Sequence, residues 1–251
     1  MLLGEPPRTP YDLNFSLFGI PVRVHPLFWL VALILNYRNL RDVGSVLTWI
    51  VAVFLAILVH ELGHAVVMRA YGFRPWITLH GFGGLASYDQ GRSYGSKGAE
   101  PLGQILMSLA GPGAGFLLAA ALVFGLALAG YGFRVVFSSP FGLELDVGGL
   151  PNVRLAILLY YIFFICVFWG IVNLLPIYPL DGGQVAREIL QKFNGSAGIR
   201  QSLMLSMLAA GMMAAYGLIR WQDWFIALFF GYMTYSSYAT LQAYTNRGPR
   251  S

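Results

Sequence analysis

The chain has 251 residues, of which 57% are hydrophobic and only 11% charged, against about 45–50% and about 25% in ordinary soluble domains. With a mean hydropathy of +0.64, this excludes a typical soluble globule and a disordered chain and points to a polytopic membrane protein. The single cysteine, Cys166, excludes a disulfide framework or a cysteine metal cage, and the net charge of +5 comes without a Lys/Arg cluster dense enough for nucleic acid.

Taken in order, the first residues have neither the basic start nor the apolar core of a cleavable signal. Residues 14–24 alternate in a strand-like way. Apolar runs then predict about six transmembrane helices, near 26–38, 46–70, 102–129, 155–175, 201–220 and 224–243, since a span needs about 20 mainly apolar residues. The first of these is short. Between the second and third, residues 76–90 form two strand-like runs around Gly83-Gly84, a β-hairpin signal. The strand at 14–24 can pair with that hairpin at the membrane face. The expected fold is an all-α polytopic membrane protein with a small membrane-associated β-hairpin or sheet. The loops are short, and residues 1–251 read as a single transmembrane domain. Six spans put both termini on one side. That side carries eleven Lys and Arg: Arg8, Arg23, Arg69, Arg74, Arg92, Lys97, Arg187, Lys192, Arg200, Arg247 and Arg250. The opposite side carries five: Arg38, Arg41, Arg134, Arg154 and Arg220. The positive-inside rule then places both termini in the cytoplasm of a multi-pass protein.

His60-Glu61-Leu62-Gly63-His64 fits H-E-x-x-H. Residues four apart share a helix face, so both imidazoles can reach one ion, and Glu61 sits where it can take a proton from an attacking water. The motif lies in the second half of an apolar span. Three ionisable groups at that depth cost several kcal/mol unless paired or in a wet cavity, which argues against a merely structural cluster. A third metal ligand must come from a carboxylate or from His25 or His80. Asp181 is the best choice. It follows Asn173-Leu174-Leu175-Pro176-Ile177-Tyr178-Pro179-Leu180, where two prolines break a helix and free backbone that must face protein or a cavity. Taken alone, Asp181 reads as a turn residue before Gly-Gly. Two crossings separate the span of His60 and His64 from the span leading to Asp181, so both ends face the same side.

His-Glu-Leu-Gly-His paired with Asn-x-x-Pro-x-x-Pro-Leu-Asp-Gly on two membrane helices resembles the site-2 protease family of intramembrane zinc metalloproteases. Residues 19–26, Gly83-Gly84 and Leu109-Ala110-Gly111-Pro112 agree, and the resemblance covers about residues 14–190. It implies one Zn2+ per chain held by His60, His64 and Asp181, Glu61 as catalytic base, and Asn173 as a holder of substrate or the oxyanion. Neither an inserted PDZ-like domain nor a CBS domain is seen, as in the compact prokaryotic type, so a prokaryotic cell membrane is the expected location. The implied partners are the lipid bilayer and a transmembrane substrate. That substrate is a single-span regulator such as an anti-sigma factor or a membrane-bound transcription factor. The sequence leaves the oligomeric state open.

A helix hides its peptide bonds, so substrate must unwind locally. A hairpin edge at Phe82–Ser87, with Gly83, Gly84 and Leu85 as substrate-binding residues, could pair with the unwound strand; a bare tight turn shares that signature. His25 reads as a cap or interface residue and His80 as a locally partnered one. Residues 110–115, rich in Gly and Ala, read as a helix-packing and kink element. Rival readings are a metal or ion transporter, disfavoured by the lack of an inverted repeat, and a catalytically silent helix-binding relative, disfavoured by the intact motif.

Overall fold

A computed structural model describes residues 5–36, 42–81, 83–89, 98, 100–139 and 142–246. Arg38, Arg41, Arg92, Lys97, Arg247 and Arg250 of the charge count, and Phe82 of the hairpin, lie outside the described residues. Contacts group the chain into two units, residues 1–97 with 110–171, and residues 98–109 with 172–251.

The first unit is built around a four-stranded sheet of order β1-β2-β3-β4. Strands β1 (Leu13–Leu17) and β2 (Ile20–Val24) are antiparallel, and they turn at Phe18 and Gly19, both at positive φ. Strand β2 runs parallel to β3 (Pro75–His80), which pairs antiparallel with β4 (Gly83–Tyr88). The parallel pair needs a crossover, and two helices supply it: α1 (Pro26–Leu35) and α2 (Val43–Ala70). Val22, Val24, Ile77 and Leu79 are fully buried in a core shared with Phe28, Ala56, Ile57, Ile162 and Phe163. Alternation puts Arg23 and Thr78 on the other face of the sheet. There the Arg23 guanidinium donates to Glu5 Oε1 at 2.9 Å and to Asp12 Oδ2 at 3.1 Å, and the Thr78 hydroxyl donates to Glu5 Oε1 at 2.8 Å. A buried arginine is thus matched by two carboxylates, which tie residues 5–12 to the sheet.

His25 caps α1, its Nδ1 accepting from the Leu27 amide at 3.2 Å, and Pro26 occupies the first turn, where its missing N–H costs nothing. Asp42 caps α2 by accepting from Gly44 N and Ser45 Oγ. The Trp49 indole donates to the Ala32 carbonyl at 2.9 Å and joins the two helices. Helix α3 (Pro101–Leu128) carries Pro112 in its interior; strands β5 (Gly132–Ser139) and β6 (Gly142–Gly148) form a two-stranded antiparallel sheet; helix α4 spans Val153–Asn173. A Cβ on Gly115 would lie 3.3 Å from the Cys166 carbonyl, and one on Gly170 would lie 2.7 Å from the Phe116 ring, so glycines let α3 and α4 approach closely.

The second unit holds α5 (Asp181–Asn194), α6 (Ser196–Ile219) and α7 (Trp224–Asn246). Gly195, at φ +56°, turns α5 into α6, and Gly198 lets α6 press on the Leu190 backbone. Gly217 does the same for α7, where an added Cβ would sit 2.7 Å from Ile226.

Among the described residues, α2, α3, α4 and α6 are long and apolar enough to cross a membrane. The 26–38 window becomes the ten-residue α1, shorter than the length a span needs. The 224–243 window is the 23-residue α7, and the 201–220 window begins earlier, at Ser196. Two elements were not anticipated where short loops were expected: the β5–β6 hairpin and helix α5.

Candidate metal centre

Helix α2 carries the H-E-x-x-H residues in its last third. Its buried positions recur at helical spacing, from Val46 through Val53, Ile57, His60, Glu61 and His64 to Met68. His60, Glu61 and His64 are 6%, 5% and 6% exposed. One helical turn sets the two imidazoles edge to face, with Nε2 atoms 3.2 Å apart. Two metal–nitrogen bonds of about 2.0–2.1 Å at a tetrahedral angle would separate the nitrogens by about 3.3 Å, so the pair has the spacing of two ligands of one zinc ion.

Neighbouring elements leave room around these groups by means of glycine. Gly111 of α3 faces the imidazoles; a Cβ there would run into His64 Nε2 and lie 2.7 Å from His60 Nε2. Gly63 of α2 lies against the Ala110 carbonyl, and a Cβ on it would be 2.7 Å from that of Ala114. The small-residue run at 110–115, read from sequence as packing and a kink, therefore also defines the space beside both histidines. The spacing of a motif along one helix carries no record of what another helix places against it, so this role had no signal in the chain.

Gly84 is the third such residue. A Cβ on it would collide with the Glu61 side chain, its Cδ at 2.5 Å. Strand β4 is an edge of the sheet, and alternation puts Gly84 on the face turned to α2. Gly83 and Leu85, paired with His80 and Thr78, lie on the other face. The glycines do not form the tip of the hairpin, as the sequence suggested; they open strand β4, because the register pairs Gly83 with His80 and Gly84 with Leu79. His80 is buried, and burial pushes its imidazole pKa below the usual value, with the charges of His25 and Arg23 adding to the effect.

In the second unit, Asn173 ends α4 and Asp181 begins α5, both buried. The apolar run and Asp181 thus belong to two helices, where one span was expected to end at Asp181. The intervening segment is pinned by backbone bonds from Ile177 N to Leu175 O and from Leu180 N to Ile177 O, each 2.7 Å. The Ser206 hydroxyl of α6 accepts from Tyr178 N at 3.0 Å. Gly182 and Gly183 press α5 onto this segment: a Cβ on Gly182 would strike the Leu174 carbonyl, and one on Gly183 the Ile177–Tyr178 peptide. The Asp-Gly-Gly sequence is thus a tightly seated helix start and not an open turn.

The family model for peptidase family M50 matches residues 48–215, an interval that includes His60, Glu61, His64, Asn173 and Asp181. The chain belongs to peptidase family M50, the site-2 protease family. This M50 chain is 29% identical over 211 residues to a zinc metalloprotease of Methanocaldococcus jannaschii, an alignment covering 80% of this chain and 53% of that protein. It therefore spans about half the length of that relative. The solved structure of the site-2 protease from Methanocaldococcus jannaschii superposes with a TM-score of 0.58 at 24% identity, covering 92% of this chain and 95% of that one. The M50 chain shares that fold, a mostly helical membrane protein with small sheets.

Proposed function

We propose that the chain is an intramembrane zinc metalloendopeptidase that hydrolyses a peptide bond in or near the transmembrane segment of a membrane-anchored protein. The observation that carries this reading is the buried His60–His64 pair, 3.2 Å apart on an apolar helix, with Glu61 beside an edge strand. His60, His64 and Asp181 hold one Zn2+ per chain, a donor set of two imidazoles and a carboxylate that leaves a position open. When bound, zinc polarises the scissile carbonyl and makes water more acidic. Glu61 takes the proton of the attacking water and passes it to the leaving amine, giving a new carboxylate and a free amine. Asn173 donates its side-chain amide to the developing oxyanion, a contact typically worth about 3 kcal/mol. The unwound substrate strand adds to the edge strand β4, where Gly83, Gly84 and Leu85 offer backbone groups and Gly84 lies against Glu61.

The substrate class is a single-span regulator such as an anti-sigma factor or a membrane-bound transcription factor, a reading that rests on family membership. By the charge count both termini lie in the cytoplasm; a prokaryotic cell membrane rests on the resemblance to the compact prokaryotic type, and residues 1–251 act as one protease domain. The test is purified protein with a co-expressed tagged membrane peptide. The Glu61→Gln variant keeps its zinc, measured by atomic absorption, and loses cleavage by roughly 10²–10⁴-fold. Cleavage that persists in that variant removes Glu61 as the base.

A further inference from the structure

The corner where α5 meets α6 has a composition the hydrolytic reading does not use. Residues 189–222 contain no acidic side chain, Glu188 being the last acid before them, one turn ahead of Lys192, while Lys192 and Arg200 flank the Gly195 turn, both exposed. Among the described residues no ion pair involves either. Beside Lys192, Phe193 is 77% exposed, too much apolar surface to leave in water at the end of a helix. One and two turns beyond Arg200, on the same side of α6, Met204 and Leu208 are exposed. Helix α6 is long and apolar enough to span a membrane, so this stripe faces acyl chains and Arg200 caps it at one end. The Tyr244 hydroxyl of α7 donates to the Ser196 carbonyl at 3.4 Å, which places an aromatic with a polar tip at the same level. Cations, an exposed aromatic and a tyrosine gathered above an apolar stripe are the markers of a headgroup boundary.

We propose that the α5–α6 corner binds anionic phospholipid, with Lys192 and Arg200 holding the headgroup phosphate and Phe193 seated among the acyl chains. The occupant is a lipid because the apolar stripe continues directly below the cations, and Arg187, Lys192 and Arg200 outnumber the one carboxylate nearby, Glu188, one turn before Lys192 on α5. Helix α5 begins at Asp181, so the lipid that fixes its far end also steadies the helix carrying that carboxylate.

The test uses the full chain in nanodiscs and needs no protease assay, so it stands or falls separately from the hydrolytic reading. Electron paramagnetic resonance compares the association of spin-labelled phosphatidylglycerol and phosphatidylcholine. The wild type prefers phosphatidylglycerol, and that preference falls about fivefold for each charge removed in Lys192→Gln and Arg200→Gln. The Lys192→Arg/Arg200→Lys pair keeps it, which separates loss of charge from loss of fold. Arg220→Gln, at the other end of α6, also leaves it unchanged. A dye on Phe193→Cys, with the native Cys166 buried, reports an apolar environment quenched by spin-labelled lipid. An equal preference in the wild type and the double glutamine variant overturns the proposal. So does a water-exposed dye, the result expected if this surface serves a protein partner. Inorganic phosphate that abolishes the preference, where sodium chloride of the same ionic strength does not, would assign the corner to a free anion and also overturn it.

Discussion

The histidine-bearing region of α2 and the helix start at Asp181 both rely on glycine, in opposite ways. Around the histidines the glycines sit on other elements: Gly111 on α3 and Gly84 on β4 make room for side chains they do not carry. At Asp181 the glycines belong to the same helix, and Gly182 and Gly183 let it settle on its own preceding segment. The first arrangement shapes the space around the reactive groups. The second fixes one backbone. Substitution in the first should therefore damage chemistry with the fold intact, and substitution in the second should damage the fold.

The sharpest break of that comparison lies within one short run of α3. Gly111→Val places branched carbon against both imidazoles, and zinc affinity should fall by about 10–100-fold, as when groups supporting metal ligands are altered. Two residues on, a Cβ on Gly113 meets nothing within 4 Å. Gly113→Ala should keep the metal and raise helix stability by up to about 1 kcal/mol. Competition with a fluorescent zinc chelator, read beside thermal unfolding in detergent, gives both quantities. Equal zinc loss in the two variants would mean that Gly111 acts only through packing.

Gly84→Ala tests the same idea at the carboxylate. The added methyl displaces Glu61 and leaves the histidines alone, so cleavage should drop by at least about 10-fold, within the range a positioned acid or base contributes, while zinc stays bound. Gly182→Ala tests the other region. Its methyl meets a carbonyl that cannot move without unseating the segment before α5. Overpacking of that kind costs about 1–3 kcal/mol and appears as a lower unfolding temperature. A Gly182→Ala variant of unchanged stability that loses only zinc would place it with the first kind.

The same contrast explains what was legible in the sequence. His60, Glu61 and His64 were readable because their relation is local: four residues along a helix is one turn. Strands β3 and β4 are readable from alternation and glycine, although the register set by β3 makes Gly83-Gly84 the start of β4 and not the turn, and the single strand expected at 14–24 is two, β1 and β2, turned at Phe18 and Gly19. The sequence names Gly84 only as a substrate-binding residue and Gly111 only as a packing residue; their contacts with Glu61 and with the imidazoles lie in neighbours distant in sequence and leave no local pattern. Helix α5 was missed for another reason. Its Gly-Gly start masked a usable signal, because Val185, Ala186, Ile189, Leu190 and Phe193 recur with helical period. Apolar length alone does not reveal the β5–β6 hairpin, whose signal is the alternating Phe133-Arg134-Val135 stretch.

The smallest expected effect concerns the polar face of the sheet, far simpler in chemistry than either glycine region. The Thr9 hydroxyl, with Arg23 beside it, holds the Asp12 carboxyl at about 2. Burial raises the Glu5 carboxyl, but hydrogen bonds from Thr78, Trp76 and Arg23 outweigh it and leave the value lowered. A carboxylate whose pKa is lower folded than unfolded stabilises the fold above its ordinary range near 4 and loses that contribution as pH falls toward 2. His80 adds a second, higher window. Its pKa is lowered by burial, so the fold favours the neutral ring, and stability declines as pH drops below the ordinary histidine value of about 6.5. Unfolding temperature should therefore fall in two steps on acidification. His80→Gln should erase the upper step and keep the lower, and Arg23→Gln should weaken the lower one by freeing Glu5 and Asp12 from their shared cation. A single step that survives both substitutions would show that neither group reports on the sheet.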